Sequence, residues 1–70
     1  MLWVLKTPTG ALIKDTVRPT QSECWEWGFR FVSQEVSGFE AKYWKRWDAS
    51  IAAAKRLGYR MVKVSLEEVR

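Results

Sequence analysis

The sequence predicts an α+β domain in which a three-stranded sheet is covered on one face by two helices, in the chain order β-β-α-α-β. Three observations predict this two-layer fold: two apolar stretches around a turn at the start of the chain, two helical stretches in the middle, and an alternating stretch near the end. The 70 residues contain no repeat and no internal linker, so we expect residues 1–70 to form a single small domain.

The first two strands are predicted to form a β-hairpin from residues 1–5 and 11–17. The connection between them contains Pro8 and Gly10, which occupy their usual turn roles. The first stretch is apolar at nearly every position, whereas the second mixes apolar with charged residues. We therefore expect the first strand to be central in the sheet and the second to lie at an edge.

A capping box opens the first predicted helix, because Thr20 is followed three residues later by Glu23, and the helical pattern continues to about residue 34. Trp25 and Phe29, four residues apart, lie at the margin of its apolar arc and widen it. The arc that we expect to face the core contains Cys24, Trp27, Gly28, Phe31 and Val32.

The second helix is predicted over residues 39–58, and Gly58 is placed to cap its C-terminus. At about 100° per residue, two opposite faces emerge. The apolar face, which we expect to pack in the core, contains Trp44, Trp47 and Ile51. The basic face contains Lys42, Lys45, Arg46 and Arg56 around Ala49 and Ala53. No acidic residue lies on this basic face, although cations opposite an apolar stripe are also typical of any solvated amphipathic helix.

Residues 59–66 alternate between two faces, which predicts a final half-buried strand. One face contains Val62, Val64 and Leu66, and the other contains Met61, Lys63 and Ser65. The pattern leaves open whether this strand pairs with the first or with the second.

The composition argues against several kinds of chemistry. The chain has no histidine and only one cysteine, Cys24, so it can form neither an intramolecular disulfide nor a Cys-rich zinc site. Its four glycines are scattered and form no phosphate-binding loop. We therefore predict a non-enzymatic protein without a metal or cofactor, in which Cys24 is a buried structural thiol.

The charge and the cysteine content indicate the setting and the partners. A net charge of +4 and a pI near 9.6 are compatible with nucleic acid, an acidic protein surface or an anionic membrane as a partner. A single cysteine favours a reducing, cytoplasmic environment, and no apolar run approaches the length of a membrane span, so we expect no membrane association.

The basic face is the best functional indication, because it contributes charge complementarity while neighbouring aromatic side chains can contribute a buried anchor. Trp44 and Trp47 lie among cations and would suit base stacking, but their position opposite the basic face favours packing in the core. The predicted partner-binding residues are Lys42, Lys45, Arg46, Arg56, Arg60, Trp25, Phe29 and Tyr43.

Four segments together carry a resemblance: Trp3 to Gly10, Thr20 to Trp27, Trp47 with the alanines that follow it, and Gly58 to Val64. In these segments the chain resembles a family of small accessory proteins encoded by bacteriophages and prophages. The resemblance implies a protein that binds and modifies or blocks a host machine, including defence complexes, inside the host cell. It implies no catalytic residue.

Three hypotheses follow for the function. The first is a non-enzymatic phage or prophage protein that docks on a host protein or nucleoprotein, possible targets including a host defence complex that it inhibits. The second is a small basic protein that binds nucleic acid in phage gene control. The third is a structural or assembly component that forms a homodimer or larger homo-oligomer through the wide apolar arc of the first helix.

Overall fold

The computed structural model describes residues 1–65 and 67, and this part of the chain contains three strands and three helices. In chain order these elements are β1 Leu2–Lys6, β2 Leu12–Arg18, α1 Gln21–Glu35, α2 Phe39–Tyr43, α3 Trp47–Arg56 and β3 Arg60–Val64. The strands form one antiparallel sheet in the order β2-β1-β3. The predicted α+β class is confirmed, and so are the hairpin, the central position of β1 and the edge position of β2.

The hairpin turn is built by local hydrogen bonds. The Thr7 amide donates to the Ala11 carbonyl at 2.8 Å, and the Gly10 amide donates to the Thr7 carbonyl at 2.9 Å. Gly10 has a φ of 92°, which a residue with a side chain adopts only with strain. The third strand then pairs with β1 in regular antiparallel register from Leu2 opposite Val64 to Lys6 opposite Arg60, which settles the pairing that the sequence left open.

Helix α1 begins at the predicted capping box. The Glu23 amide donates to Thr20 Oγ1 at 3.2 Å, and the Thr20 hydroxyl donates to Glu23 Oε1 at 3.1 Å. The helix contacts all three strands and also contacts α2 and α3. A Cβ built on Gly28 would lie 3.3 Å from Leu5 Cδ2, so the missing side chain allows α1 to approach the central strand closely.

The prediction of one continuous helix over residues 39–58 is wrong, because this segment contains two helices, α2 and α3, separated by a turn. Trp44 has φ and ψ of −56° and 125°, and Lys45 has a φ of 61°. The Arg46 amide donates to the Tyr43 carbonyl at 2.9 Å, which closes a turn with the backbone geometry of type II. Such a turn normally places Gly or Asn at the Lys45 position, and the absence of either residue explains why the sequence concealed the break.

The core lies between α1, the sheet and the two short helices. Its main buried cluster contains Leu5, Trp25, Phe29, Val32, Phe39, Ala53, Ala54 and Tyr59. The predicted burial of Cys24, Gly28 and Val32 is confirmed. Trp27 was expected in the same arc, but it is exposed, and Phe31 is only half-buried. Leu66, assigned above to the last strand, lies outside the described residues.

Candidate binding surface

Two of the predicted partner-binding aromatics, Trp25 and Phe29, belong to the core, with 3% and 2% of their surface exposed. As partner-binding residues they were expected to be exposed, and their burial makes that expectation wrong. The chain turns at Lys45 and returns over this side of α1, so α2 and α3 cover it. Trp25 Nε1 donates a 2.8 Å hydrogen bond to Ser50 Oγ, which in turn donates to the Trp47 carbonyl at 2.7 Å. Neither aromatic side chain can offer surface to a partner in this fold.

The exposed aromatics are instead three tryptophans: Trp27, Trp44 and Trp47, with 43%, 56% and 40% of their surface exposed. We call these three residues the tryptophan surface. The sequence had placed all three in the core, and that expectation is wrong. The ring centroids of Trp44 and Trp47 lie 6.1 and 5.1 Å from that of Phe29, so both rings rest on the core while part of each remains at the surface.

Two arginines accompany the tryptophan surface. The guanidinium carbons of Arg18 and Arg30 lie 4.6 and 5.0 Å from the centroid of the Trp27 ring. These distances are those of cation–π contacts, which attract a positive charge to the face of an indole. Arg18 ends β2 and Arg30 lies in α1, so the sheet and the helix each supply one member of this arginine pair.

The predicted basic helix face does not exist as one surface, because the break at Lys45 separates Lys42 on α2 from Arg56 on α3. Ala53, placed at the centre of that face, is buried instead. Lys42 and Arg56 nevertheless line one groove of about 300 Å³, together with Tyr43. We call it the Lys42–Arg56 groove.

The other predicted partner residues lie apart from that groove. Lys45 and Arg46 are exposed at the turn between α2 and α3, and Arg60 is exposed at the start of β3, opposite Lys6 in the register. Tyr43 is half-buried, and Lys42 Nζ lies 5.5 Å from the centroid of its ring. Of the eight predicted residues, the structure brings Lys42, Tyr43 and Arg56 together.

Cys24 is buried, as predicted, beside Thr16. Burial raises the pKa of its thiol above the ordinary value, while the Thr16 side chain and the charge of Arg18 oppose this rise. A protonated thiol is a poor nucleophile, so the environment of Cys24 is that of a structural residue. Within residues 1–65 and 67, no group of three or more His, Cys, Asp or Glu side chains is arranged to hold a metal ion.

None of the helices in the described part of the chain is long and apolar enough to span a membrane. Comparison with known proteins found no match to this chain among family models, curated proteins or solved structures.

The sequence reasoning missed the tryptophan surface and the arginine pair for different reasons. The spacing of Trp27 in the sequence assigns it to the core-facing arc of α1. Only the position of the sheet edge beside α1 places arginines, and not core residues, against its ring. One signal for Trp47 was present: Asp48 provides the negative charge that favours the first turn of a helix, which marks α3 as beginning at Trp47.

Proposed function

We propose that this chain is a non-enzymatic binding protein that holds single-stranded nucleic acid on the tryptophan surface. The observation that carries the proposal is the exposure of Trp44 and Trp47 next to Trp27, whose ring is contacted by Arg18 and Arg30. Aromatic side chains among cations are the usual means by which proteins hold single strands, because bases stack on the rings while cations attract the phosphates.

The free energy of base stacking and the charge of the chain both support the binding of single strands at the tryptophan surface. Stacking of one base on an aromatic side chain contributes about 1 to 3 kcal/mol, and it tolerates any base because each has a π face. The net charge of +4 adds a long-range attraction to the phosphate backbone. The sequence disfavoured base stacking only because Trp44 and Trp47 were expected in the core, and their exposure removes that objection.

The proposal is compatible with the accessory phage protein that the resemblance implied. A small protein that binds single strands in the cytoplasm of a host cell could act in phage gene control, or could dock on a host nucleoprotein and block it. The apolar arc of α1, offered above as a homo-oligomer interface, is largely buried by the sheet together with α2 and α3, and Trp27 is its exposed member.

A second candidate, docking on a host protein, is favoured by the same residue types. Tryptophan and arginine dominate the energetically important positions of protein interfaces. The groove between Trp27, Trp44 and Trp47 is also lined by the carboxylate-bearing Glu26, which suits a protein surface better than a phosphate.

The test is a titration of intrinsic tryptophan fluorescence with single-stranded oligo(dT) and oligo(U) and with duplex DNA, across about 50 to 300 mM salt. We expect quenching by both single strands, weaker binding of the duplex, and affinity that falls with salt. Trp44→Leu retains an apolar contact with Phe29 but removes the stacking ring, so it should weaken binding about fivefold or more.

The matched control is Trp3→Leu, which removes a half-buried tryptophan of β1 whose ring faces Lys63 and lines none of the grooves described here. It should leave the affinity unchanged. Equal weakening by both substitutions, or no quenching by any oligonucleotide at about 50 mM salt, would overturn the proposal and leave protein docking as the better candidate.

A further inference from the structure

We infer that the bound strand follows one continuous path, from the arginine pair across the tryptophan surface to the Lys42–Arg56 groove. The inference rests on the proposed function, and it adds the route of the strand over the surface and a second phosphate-binding end. It is carried by four surface grooves, each of which shares a lining residue with the next.

The path begins between β2 and α1. A groove of about 450 Å³ is lined there by Arg18, Trp27, Arg30 and Gln34, among others. Trp27 and Arg30 also line a second groove of about 220 Å³, whose other walls include Trp44 and Trp47. The arginine pair and the whole tryptophan surface therefore belong to two adjoining grooves.

Trp44 continues the path into a third groove, of about 540 Å³, whose lining includes Ser33 and Gly38. The Ser33 hydroxyl at the floor of this groove is buried and has no hydrogen-bond partner among residues 1–65 and 67. Gly38 then also lines the Lys42–Arg56 groove, where the path ends.

The charges along the path differ between its ends and its middle. Arg18, Arg30 and Asp15 line one end and Lys42 and Arg56 line the other, so each end carries a net positive charge, whereas the two middle grooves are aromatic and contain Glu26 and Glu40 with Arg30 as their cation. Phosphates are attracted to cations and repelled by carboxylates, so this layout directs backbone phosphates to the two ends and bases to the tryptophans between them.

The path predicts that the affinity depends on the length of the oligonucleotide. A strand of about four residues fills less of this path than one of about twelve, so contacts at the far groove should contribute more to the binding of the longer strand. The principal dimensions of the molecule, 35 × 22 × 17 Å, give the longer strand room to cross it. The bases of a duplex are already paired and stacked on one another, so a path lined by tryptophans favours single strands.

The experiment compares oligo(dT) of about four and about twelve nucleotides against the double variant Lys42→Gln with Arg56→Gln. We expect this variant to bind the longer oligonucleotide about tenfold more weakly and the shorter one with a clearly smaller loss. Two lost phosphate contacts should also reduce the salt dependence for the longer strand, by about 1.4 in the slope of log K against log salt.

The matched control is Lys55→Gln with Lys63→Gln, which removes the same charge from exposed lysines that line none of the four grooves. It should affect both lengths weakly and equally. If both double variants behave alike while Trp44→Leu still weakens binding, the path is wrong and the proposed function stands. If neither oligonucleotide binds the unmodified protein at about 50 mM salt, both proposals fail together.

Discussion

The amide of Leu5 donates a 2.8 Å hydrogen bond to the side-chain hydroxyl of Thr16 on the neighbouring strand. The same hydroxyl donates to the Ile13 carbonyl at 2.7 Å. Between the paired positions of the hairpin, β1 contributes only Val4 whereas β2 contributes residues 14–17, so the ladder is interrupted by a large bulge. The Thr16 side chain replaces the missing backbone partner and keeps the buried Leu5 amide satisfied.

Replacement of Thr16 by valine should therefore lower the free energy of unfolding by about 1 to 3 kcal/mol, because the Leu5 amide would be buried without an acceptor. Thr16→Ser retains the hydroxyl and should lose much less. Urea unfolding followed by circular dichroism measures both. A valine variant as stable as the unmodified protein would mean that the hydroxyl is not needed to bridge the bulge.

A second buried hydroxyl, that of Ser50, joins α3 to α1 by accepting the hydrogen bond from Trp25 Nε1. Ser50→Ala should lower the free energy of unfolding by about 1 to 3 kcal/mol. Ser33→Ala is the control, since its hydroxyl lacks a hydrogen-bond partner in the described part of the chain and its removal should be close to neutral. Chemical denaturation compares the two, and equal losses would contradict the assignment.

Lys45 has a φ of 61°, a backbone conformation that costs a residue with a side chain about 1 to 2 kcal/mol. Lys45→Gly removes this strain but adds freedom to the unfolded chain, so we expect a net gain in unfolding free energy of up to about 1 kcal/mol. The control Lys42→Gly removes the same charge from within α2 and should destabilise. Thermal unfolding that ranks the two variants in the opposite order would refute the strained turn.

Gly58 and Gly38 both have positive φ values, of 101° and 80°, which a residue with a side chain adopts only with strain, but their surroundings differ. A Cβ on Gly58 would lie 2.9 Å from Pro8 Cβ, whereas a Cβ on Gly38 would meet no atom within 4 Å. Both alanine variants should be less stable, and Gly58→Ala should be the worse because α3 must move away from the hairpin turn. Thermal unfolding measures the difference in stability between the two variants. Equal stabilities would mean that the hairpin turn and α3 separate easily.

The stability should also fall at alkaline pH through Cys24. Burial raises the pKa of its thiol above the ordinary value of 9.0, so the folded state retains a proton that the unfolded state loses. The contribution is complete below pH 9.0 and is lost as the pH rises through the folded-state pKa. Unfolding of the unmodified protein and of Cys24→Ala should therefore show a shallower alkaline decline in the variant, and parallel declines would contradict this origin.

Local patterns accounted for much of the fold. The capping box of Thr20 and Glu23, the turn with Pro8 and Gly10, and the alternation of β3 each depend on neighbours close in sequence, and each was predicted. The candidate site was far less predictable. Helical spacing alone assigned Trp27 to the core and Phe29 to its margin, and their exposures are the reverse of that order.

The sequence by itself therefore determined the fold class, the strand and helix segments apart from the break near Lys45, and the basic character of the chain, because these depend on local periodicity, capping and composition. Only the tertiary structure decided which aromatic side chains reach the surface. That outcome depends on the turn at Lys45, which directs α3 back over α1 and buries Trp25 and Phe29 beneath it. A helix that is packed on several sides has no single buried face. The periodicity of its sequence therefore cannot predict which of its tryptophans are buried until the packing partners are in place.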